Sequence, residues 1–137
     1  MRFMVIVHLS KETEAAPAME DLAPMGAFNE RLAKAGVLLD ADGLKPSSRG
    51  TRITFDGKKR TVTDGPFAET KELISGYWIV EMKSRDEVVE WFRQAPLFDN
   101  GDTLEIREFW EAEDFADAAQ VREQEARIRT AATEGRG

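Results

Sequence analysis

Three features of this 137-residue sequence predict an α+β fold. Segments rich in β-branched and aromatic residues alternate with segments whose apolar residues recur at three- and four-residue steps. The dipeptide Asp56-Gly57, a strong hairpin signal, separates two short strand-like runs. The resulting order is strand, helix, strand, hairpin, strand, helix, strand, helix. Two βαβ-like halves around one sheet, with helices on one face, predict ferredoxin-like topology.

The first half of the chain begins with a strand over residues 2–9. Its nearly continuous apolar run, Phe3 to Val7, is typical of a central strand buried on both faces. The helix that follows carries one apolar stripe, formed by Leu22, Met25, Phe28, Leu32 and Ala35. Gly36 is expected to end this helix, because glycine tolerates the left-handed conformation, and a second strand begins at Val37.

In the second half, turn formers between Asp40 and Gly50 predict an irregular connection. The hairpin strands are expected at Thr51–Phe55 and Lys59–Thr63, able to pair in the same sheet as the others. The remaining predicted elements are a strand over Leu73–Met82, a helix that starts at the Ser84-x-x-Glu87 capping box and stops at Pro96, and a strand over Thr103–Trp110.

A charged helix is predicted from Glu113 to Thr130. Its apolar residues are too sparse to form a core, so we expect it to lie over the domain or over a partner subunit. We therefore divide the chain into a domain, residues 1–112, and a C-terminal helical extension, residues 113–137.

Composition excludes several functions. A formal charge of -7 disfavours nucleic-acid binding, since it repels phosphates. The absence of cysteine excludes disulfides and thiolate chemistry and makes the cytoplasm the expected compartment. The apolar run Phe3 to Val7 is too short to span a membrane. Without a metal-ligand pattern or a dinucleotide fingerprint, we expect no metal and no cofactor.

Two residues are candidates for proton transfer. Asp64 stands at a strand end beside Gly65-Pro66, where a carboxylate can act as a base, or can instead accept backbone N–H groups in an Asx turn. His8 is the only histidine, with a side chain suited to proton transfer near neutral pH, although a lone histidine on a strand is often a packed or surface residue. The catalytic interpretation of His8 requires Asp64 within hydrogen-bonding reach.

Several other residues have a functional and a structural interpretation. Glu69, Lys71 and Glu72 can bind a polar ligand or form a solvated loop. Ser47 and Ser48 are interpreted as turn residues, because no second histidine exists to activate a serine nucleophile. The three tryptophans are expected in the core or at a dimer contact; they are Trp78, Trp91 and Trp110.

The segment Thr63-Asp64-Gly65-Pro66-Phe67-Ala68-Glu69-Thr70-Lys71-Glu72, followed by Gly76-Tyr77-Trp78, resembles the hallmark of the DGPF branch of the YCII-related family. The opening strand, the Gly43–Ser48 connection and the helix around Asp86–Trp91 are also similar, so that the resemblance covers roughly residues 1 to 115. It implies a homodimer in which two ferredoxin-like protomers form a dimeric α+β barrel with clefts between sheet and helices.

The resemblance leaves the function open between two classes. One is a small-molecule enzyme of the lyase, isomerase or hydrolase type, in which Asp64 and His8 perform acid/base chemistry in a cleft. Its ligand-binding residues would be Gly65, Pro66, Phe67, Glu69 and Lys71. The other is a noncatalytic dimeric module that binds a ligand or serves regulation, associated with an extracytoplasmic-function sigma factor. A further hypothesis is that the C-terminal extension clamps the dimer.

Overall fold

The computed structural model describes residues 1–68, 73–96 and 98–137. The elements follow the predicted order, with 3₁₀ turns at Ser47–Arg49 and Ala112–Asp114. The strands and helices are β1 Arg2–His8, α1 Met19–Lys34, β2 Leu38–Gly43, β3 Thr51–Asp56, β4 Lys59–Asp64, β5 Ile74–Glu81, α2 Arg85–Phe92, β6 Thr103–Glu108 and α3 Ala118–Arg136.

Four strands form one antiparallel sheet in the order β2-β5-β1-β6. In the centre, Val5 of β1 lies opposite Trp78 of β5 on one side and Ile106 of β6 on the other. The two connections that contain α1 and α2 each join one edge strand to one central strand, which is the ferredoxin-like arrangement that the sequence predicts.

Only one face of β1 is buried. Phe3, Val5 and Val7 are buried, whereas the residues between them are partly exposed. Since successive side chains on a strand point to opposite faces, the expectation that this strand is buried on both faces is wrong for the single chain. We call the side of the four-stranded sheet opposite the helices the open face.

The β3–β4 hairpin forms a separate two-stranded sheet, so the expectation that all strands share one sheet is wrong for this element. Its two-residue turn contains Gly57 at φ +59°, as the Asp-Gly signal predicts. At its base, Gly65 N donates to Gly50 O at 2.9 Å. The hairpin is thus an insertion between β2 and β5.

The core lies between the sheet and helices α1 and α2. Phe28, Trp78 and Phe92 meet edge to face, with ring centroids 5.0 to 6.2 Å apart. The indole N–H of Trp78 donates to Asn29 Oδ1 at 2.7 Å, so this buried polar group is satisfied. The core prediction is confirmed for Trp78, and Trp91 is partly buried against the core. Trp110 is largely exposed in the single chain, and its place at a dimer contact stays a prediction.

The helix ends follow their sequence signals. Gly36, at φ +76°, follows α1, and Ser84 Oγ accepts a hydrogen bond from Glu87 N at 3.2 Å at the start of α2. The third helix begins at Ala118 rather than at Glu113, because Asp117 caps it by accepting from Gln120 N. No helix in the described part of the chain is both long and apolar enough to cross a bilayer.

Candidate functional site

The turn Asp64–Phe67, here called the DGPF turn, is held against the 3₁₀ turn Ser47–Arg49. Phe67 N donates to Ser47 Oγ at 3.1 Å. Gly65 lies so close to Ser47 that a Cβ built on Gly65 would stand 1.7 Å from the Ser47 carbonyl oxygen. Glycine is therefore required at position 65 because backbone occupies the place of a side chain.

Ser47 is buried and connects the DGPF turn to a carboxylate that the sequence did not single out. Glu12, in the loop after β1, accepts from Ser47 N at 2.7 Å and from Ser47 Oγ at 2.6 Å. Three segments distant in sequence thus meet at one hydroxyl. Glu12 carries no sequence signal for this role, since it stands in a polar stretch 35 residues from its partner.

Asp64 forms a hydrogen bond at the base of the hairpin. Its Oδ1 accepts from Thr51 Oγ1 at 2.9 Å, and the two residues are directly opposite each other in the β3–β4 register. This is a cross-strand bond between side chains. It differs from the Asx turn that the sequence offered as the alternative, in which the carboxylate accepts backbone N–H groups. The guanidinium of Arg52, the residue after Thr51, stacks on the Phe67 ring, 3.5 Å from its centroid.

His8 lies at the end of β1 on the open face, next to β6. Its Nε2 is 2.8 Å from Glu105 Oε1, and its side chain is 19% exposed. Glu105 stands diagonally across the strand pair, where the register places it opposite Ile6. Arg107, two residues along the same face of β6, donates from its guanidinium to Glu105 Oε2 at 3.1 Å.

These hydrogen bonds keep Glu105 ionised. The bond from Arg107, and then the bond from His8, lower the pKa of the Glu105 carboxyl below its usual value. The chain therefore holds an imidazole, a carboxylate and a guanidinium in a row across β1 and β6.

The two predicted catalytic residues have different partners in the structure. His8 pairs with Glu105, and Asp64 pairs with Thr51, so the predicted hydrogen bond between His8 and Asp64 is not among the contacts of the described residues. The predicted ligand-binding residues Glu69 and Lys71, with Glu72, lie outside the described residues.

Two adjoining clefts, of about 820 and 410 Å³, open on the helix side of the sheet between α1, the loop after β1 and the end of β2. They share lining residues, among them Leu9, Pro17 and Gly43. Val7 and Leu9 face this side, whereas His8 lies between them on the open face. Neither His8 nor Asp64 lines either cleft.

The loop after β1 is also tied to the start of β6. Asp102 Oδ1 accepts from Ser10 N at 2.8 Å, and its other oxygen accepts from Asp99 N at 2.8 Å. Burial raises the pKa of the Asp102 carboxyl, but these hydrogen bonds outweigh it and the net effect is a lowered pKa. Among the described residues, no group of three or more histidine and acidic side chains is placed to hold a metal ion.

The sheet order and the two helices on one face define an α+β domain of ferredoxin-like topology. The chain belongs to the YCII-related domain family, whose model matches residues 1–113. It is also similar to an uncharacterised protein of Rhizobium meliloti, with 33% identity over 84 residues that span 61% of this chain and 64% of that protein. The matched segment thus covers less than two thirds of the relative. Assignment to the DGPF branch stays a prediction.

Proposed function

We propose that the protein is a small-molecule enzyme in which His8 transfers protons and Glu105 orients its imidazole. The observation that carries this proposal is the 2.8 Å distance between His8 Nε2 and Glu105 Oε1. A carboxylate bound to one imidazole nitrogen sets the orientation of the ring and stabilises its protonated form, as acid/base catalysis requires.

Glu105 suits this role because it is ionised and fixed in place. Arg107 binds Oε2 of Glu105, the oxygen that His8 does not contact, so both carboxylate oxygens have a hydrogen-bond partner. Asp64, by comparison, is exposed and bonded across the hairpin base. Proton abstraction and return is the step shared by lyases and isomerases, and it defines the reaction class that we propose.

A homodimer formed through the open face is part of this proposal. The apolar residues of this face are partly exposed in the single chain; they are Met4, Ile6, Tyr77 and Ile79. A second copy laid over them would bury this apolar row and exclude water from the neighbouring His8–Glu105 pair. Light scattering should return twice the 15.4 kDa mass of the chain, and a single-chain mass would contradict the homodimer.

Proton transfer can be tested without knowing the substrate. The protein is incubated in D₂O with a panel of 2-oxo and 3-oxo acids. We expect it to catalyse exchange of the protons next to the carbonyl in at least one of these acids. The exchange is measured by the loss of the corresponding NMR signals. His8→Gln should lower the exchange rate by a factor of about 10² to 10⁴, the usual contribution of a general acid or base. Glu105→Gln should lower it by a smaller factor, because the amide oxygen can still bind the imidazole but the charge that stabilises the protonated ring is lost.

Asp64→Asn is the matched control, since it alters the carboxylate that the sequence singled out. We expect exchange close to that of the unaltered protein. Loss of exchange in Asp64→Asn with an intact fold would make Asp64 the catalytic carboxylate instead of Glu105. Exchange that persists in His8→Gln would contradict the proposal.

A noncatalytic ligand-binding module is the second candidate, favoured by the 820 Å³ cleft, which is large enough for a small organic ligand. Its lining contains neither member of the His8–Glu105 pair. An acid that binds equally well to the unaltered protein and to His8→Gln, without any exchange, would favour this candidate. The association with a sigma factor stays a prediction.

A further inference from the structure

The smaller of the two clefts on the helix side of the sheet, of about 410 Å³, is lined by an amide with unused donors. This amide belongs to Asn29 of α1, whose Oδ1 accepts from the indole N–H of Trp78 at 2.7 Å. Because an indole N–H only donates, the atom that it meets is the amide oxygen, and the orientation of the amide group is fixed. Asn29 Nδ2 then carries two N–H donors, and it has no acceptor among the described residues.

The two donors are accessible. Among the described residues that are buried or partly buried, Asn29 included, no inaccessible side-chain nitrogen or oxygen lacks a hydrogen-bond partner. The unpaired Nδ2 is therefore open to solvent. Asn29 shares the side of α1 that lines the cleft with Leu22 and Met25, which precede it by seven and four residues. The cleft thus presents an oriented pair of hydrogen-bond donors beside the buried indole of Trp78.

The rest of the wall is suited to an apolar ring. Leu9, Leu22, Met25 and Phe98 line the cleft together with Trp78. Aromatic side chains pack against flat rings, and methionine adapts its shape to them. A volume of about 410 Å³ lies within the usual range of small-molecule sites, roughly 300 to 1,000 Å³. The cleft combines an apolar wall with one polar group that can orient a ligand.

The charge of the wall disfavours an acid as the ligand. The charged residues that line this cleft are Asp21 and Asp42, and both are acidic. A carboxylate beside Asn29 would meet two like charges and, among the described lining residues, no cation. The oxygen of a ketone, aldehyde or amide accepts from an N–H donor without bringing a charge. The wall therefore favours an uncharged carbonyl compound.

We propose that the cleft between α1 and β5 binds an uncharged, ring-containing carbonyl compound, whose carbonyl oxygen accepts a hydrogen bond from Asn29 Nδ2. The ring of the ligand lies against Met25, Trp78 and Phe98. This site is on the helix side of the sheet, whereas His8 is on the open face. The inference therefore goes beyond the proposed proton transfer and does not rest on it.

Acetophenone, ethylbenzene and benzoate test this inference, because each joins one ring to a small group: an uncharged carbonyl, an ethyl group or a carboxylate. Each compound is titrated into the protein, and binding is followed by the NMR signal of the Trp78 indole N–H, identified by elimination with Trp91→Phe and Trp110→Phe. We expect saturable binding of acetophenone, and binding of benzoate that is weaker by about tenfold or more. In the unaltered protein, the acetophenone methyl protons should show nuclear Overhauser contacts to the side-chain amide of Asn29.

Asn29→Asp isolates the donors, because a carboxylate oxygen can still accept from Trp78 while the NH₂ group is gone. It should weaken the binding of acetophenone by about tenfold or more and the binding of ethylbenzene by less than about threefold. Asn100→Asp is the matched control, since it makes the same chemical change at an exposed residue that lines neither cleft. It should leave both affinities unchanged.

Several results would overturn the proposal. They are the absence of saturable acetophenone binding, equal weakening of both compounds or of neither in Asn29→Asp, and benzoate that binds as tightly as acetophenone. If Asn29→Asp does not fold, the absence of the Overhauser contacts in the saturated, unaltered protein would overturn it. His8→Gln should bind acetophenone like the unaltered protein, whether or not the protein catalyses proton exchange. Loss of binding in His8→Gln would place the ligand on the open face and overturn the proposal.

Discussion

Gly65→Ala is expected to destabilise the folded protein by about 3 kcal/mol or more. The new methyl group would lie 1.7 Å from the carbonyl oxygen of Ser47, and a second backbone atom, the Ser47 carbonyl carbon, is 2.7 Å away. Backbone cannot yield as a flexible side chain does, so the DGPF turn must separate from the 3₁₀ turn. That separation would also break the bond from Phe67 N to Ser47 Oγ. Urea unfolding followed by tryptophan fluorescence measures the loss.

Gly26→Ala is the control for this prediction. Gly26 lies inside α1, and a Cβ built on it has no neighbour within 4 Å. Alanine is favoured over glycine in a helix, so this change should stabilise the protein by about 0.5 to 1 kcal/mol. The same chemical change is thus expected to act with opposite sign at the two positions. Equal stability of Gly65→Ala and the unaltered protein would show that the close approach at Ser47 is absent in solution.

Leu32→Ala is expected to lower the free energy of unfolding by about 3 kcal/mol. Leu32 is fully buried in the cluster that joins α1 to the sheet and to α2. Truncation removes its transfer free energy and leaves a cavity, because Phe28 and Val88 are held by their own contacts and can collapse only in part. Thermal unfolding followed by circular dichroism at 222 nm measures this change.

Leu22→Ala, in the same helix, is the matched control for Leu32→Ala. Leu22 is 46% exposed, so truncation there should cost less than about 1 kcal/mol. Similar losses at the two positions would contradict the packing of α1 described above.

The elements of the fold could be predicted because their signals are local. The apolar run of β1, the apolar stripe of α1 and the Ser84 cap of α2 each depend on residues within a few positions of one another. The hairpin turn likewise has a local signal, since Gly57, directly after Asp56, supplies the positive φ that a tight hairpin needs. The start of α3 was predicted five residues too early, because the capping role of Asp117 was not recognised.

The candidate site could be predicted only in part. His8 was identified by its chemistry, and the DGPF segment by its resemblance to a family. The partner of His8 was missed, because Glu105 is 97 residues away and becomes a neighbour only through the register of β1 and β6. Glu12 was missed for the same reason, since its bond to Ser47 requires the loop after β1 to fold over the 3₁₀ turn.

By itself, the sequence determined the order and type of the elements, the family and the residues suited to chemistry. Periodicity, caps and motifs each depend on residues that are neighbours in the sequence. The tertiary structure alone decided that the hairpin stands apart from the sheet, that one face of β1 is left open, and that His8 meets Glu105 while Asp64 meets Thr51. These are pairings across long stretches of chain. They follow from strand register and from the burial of one sheet face, which no short segment encodes.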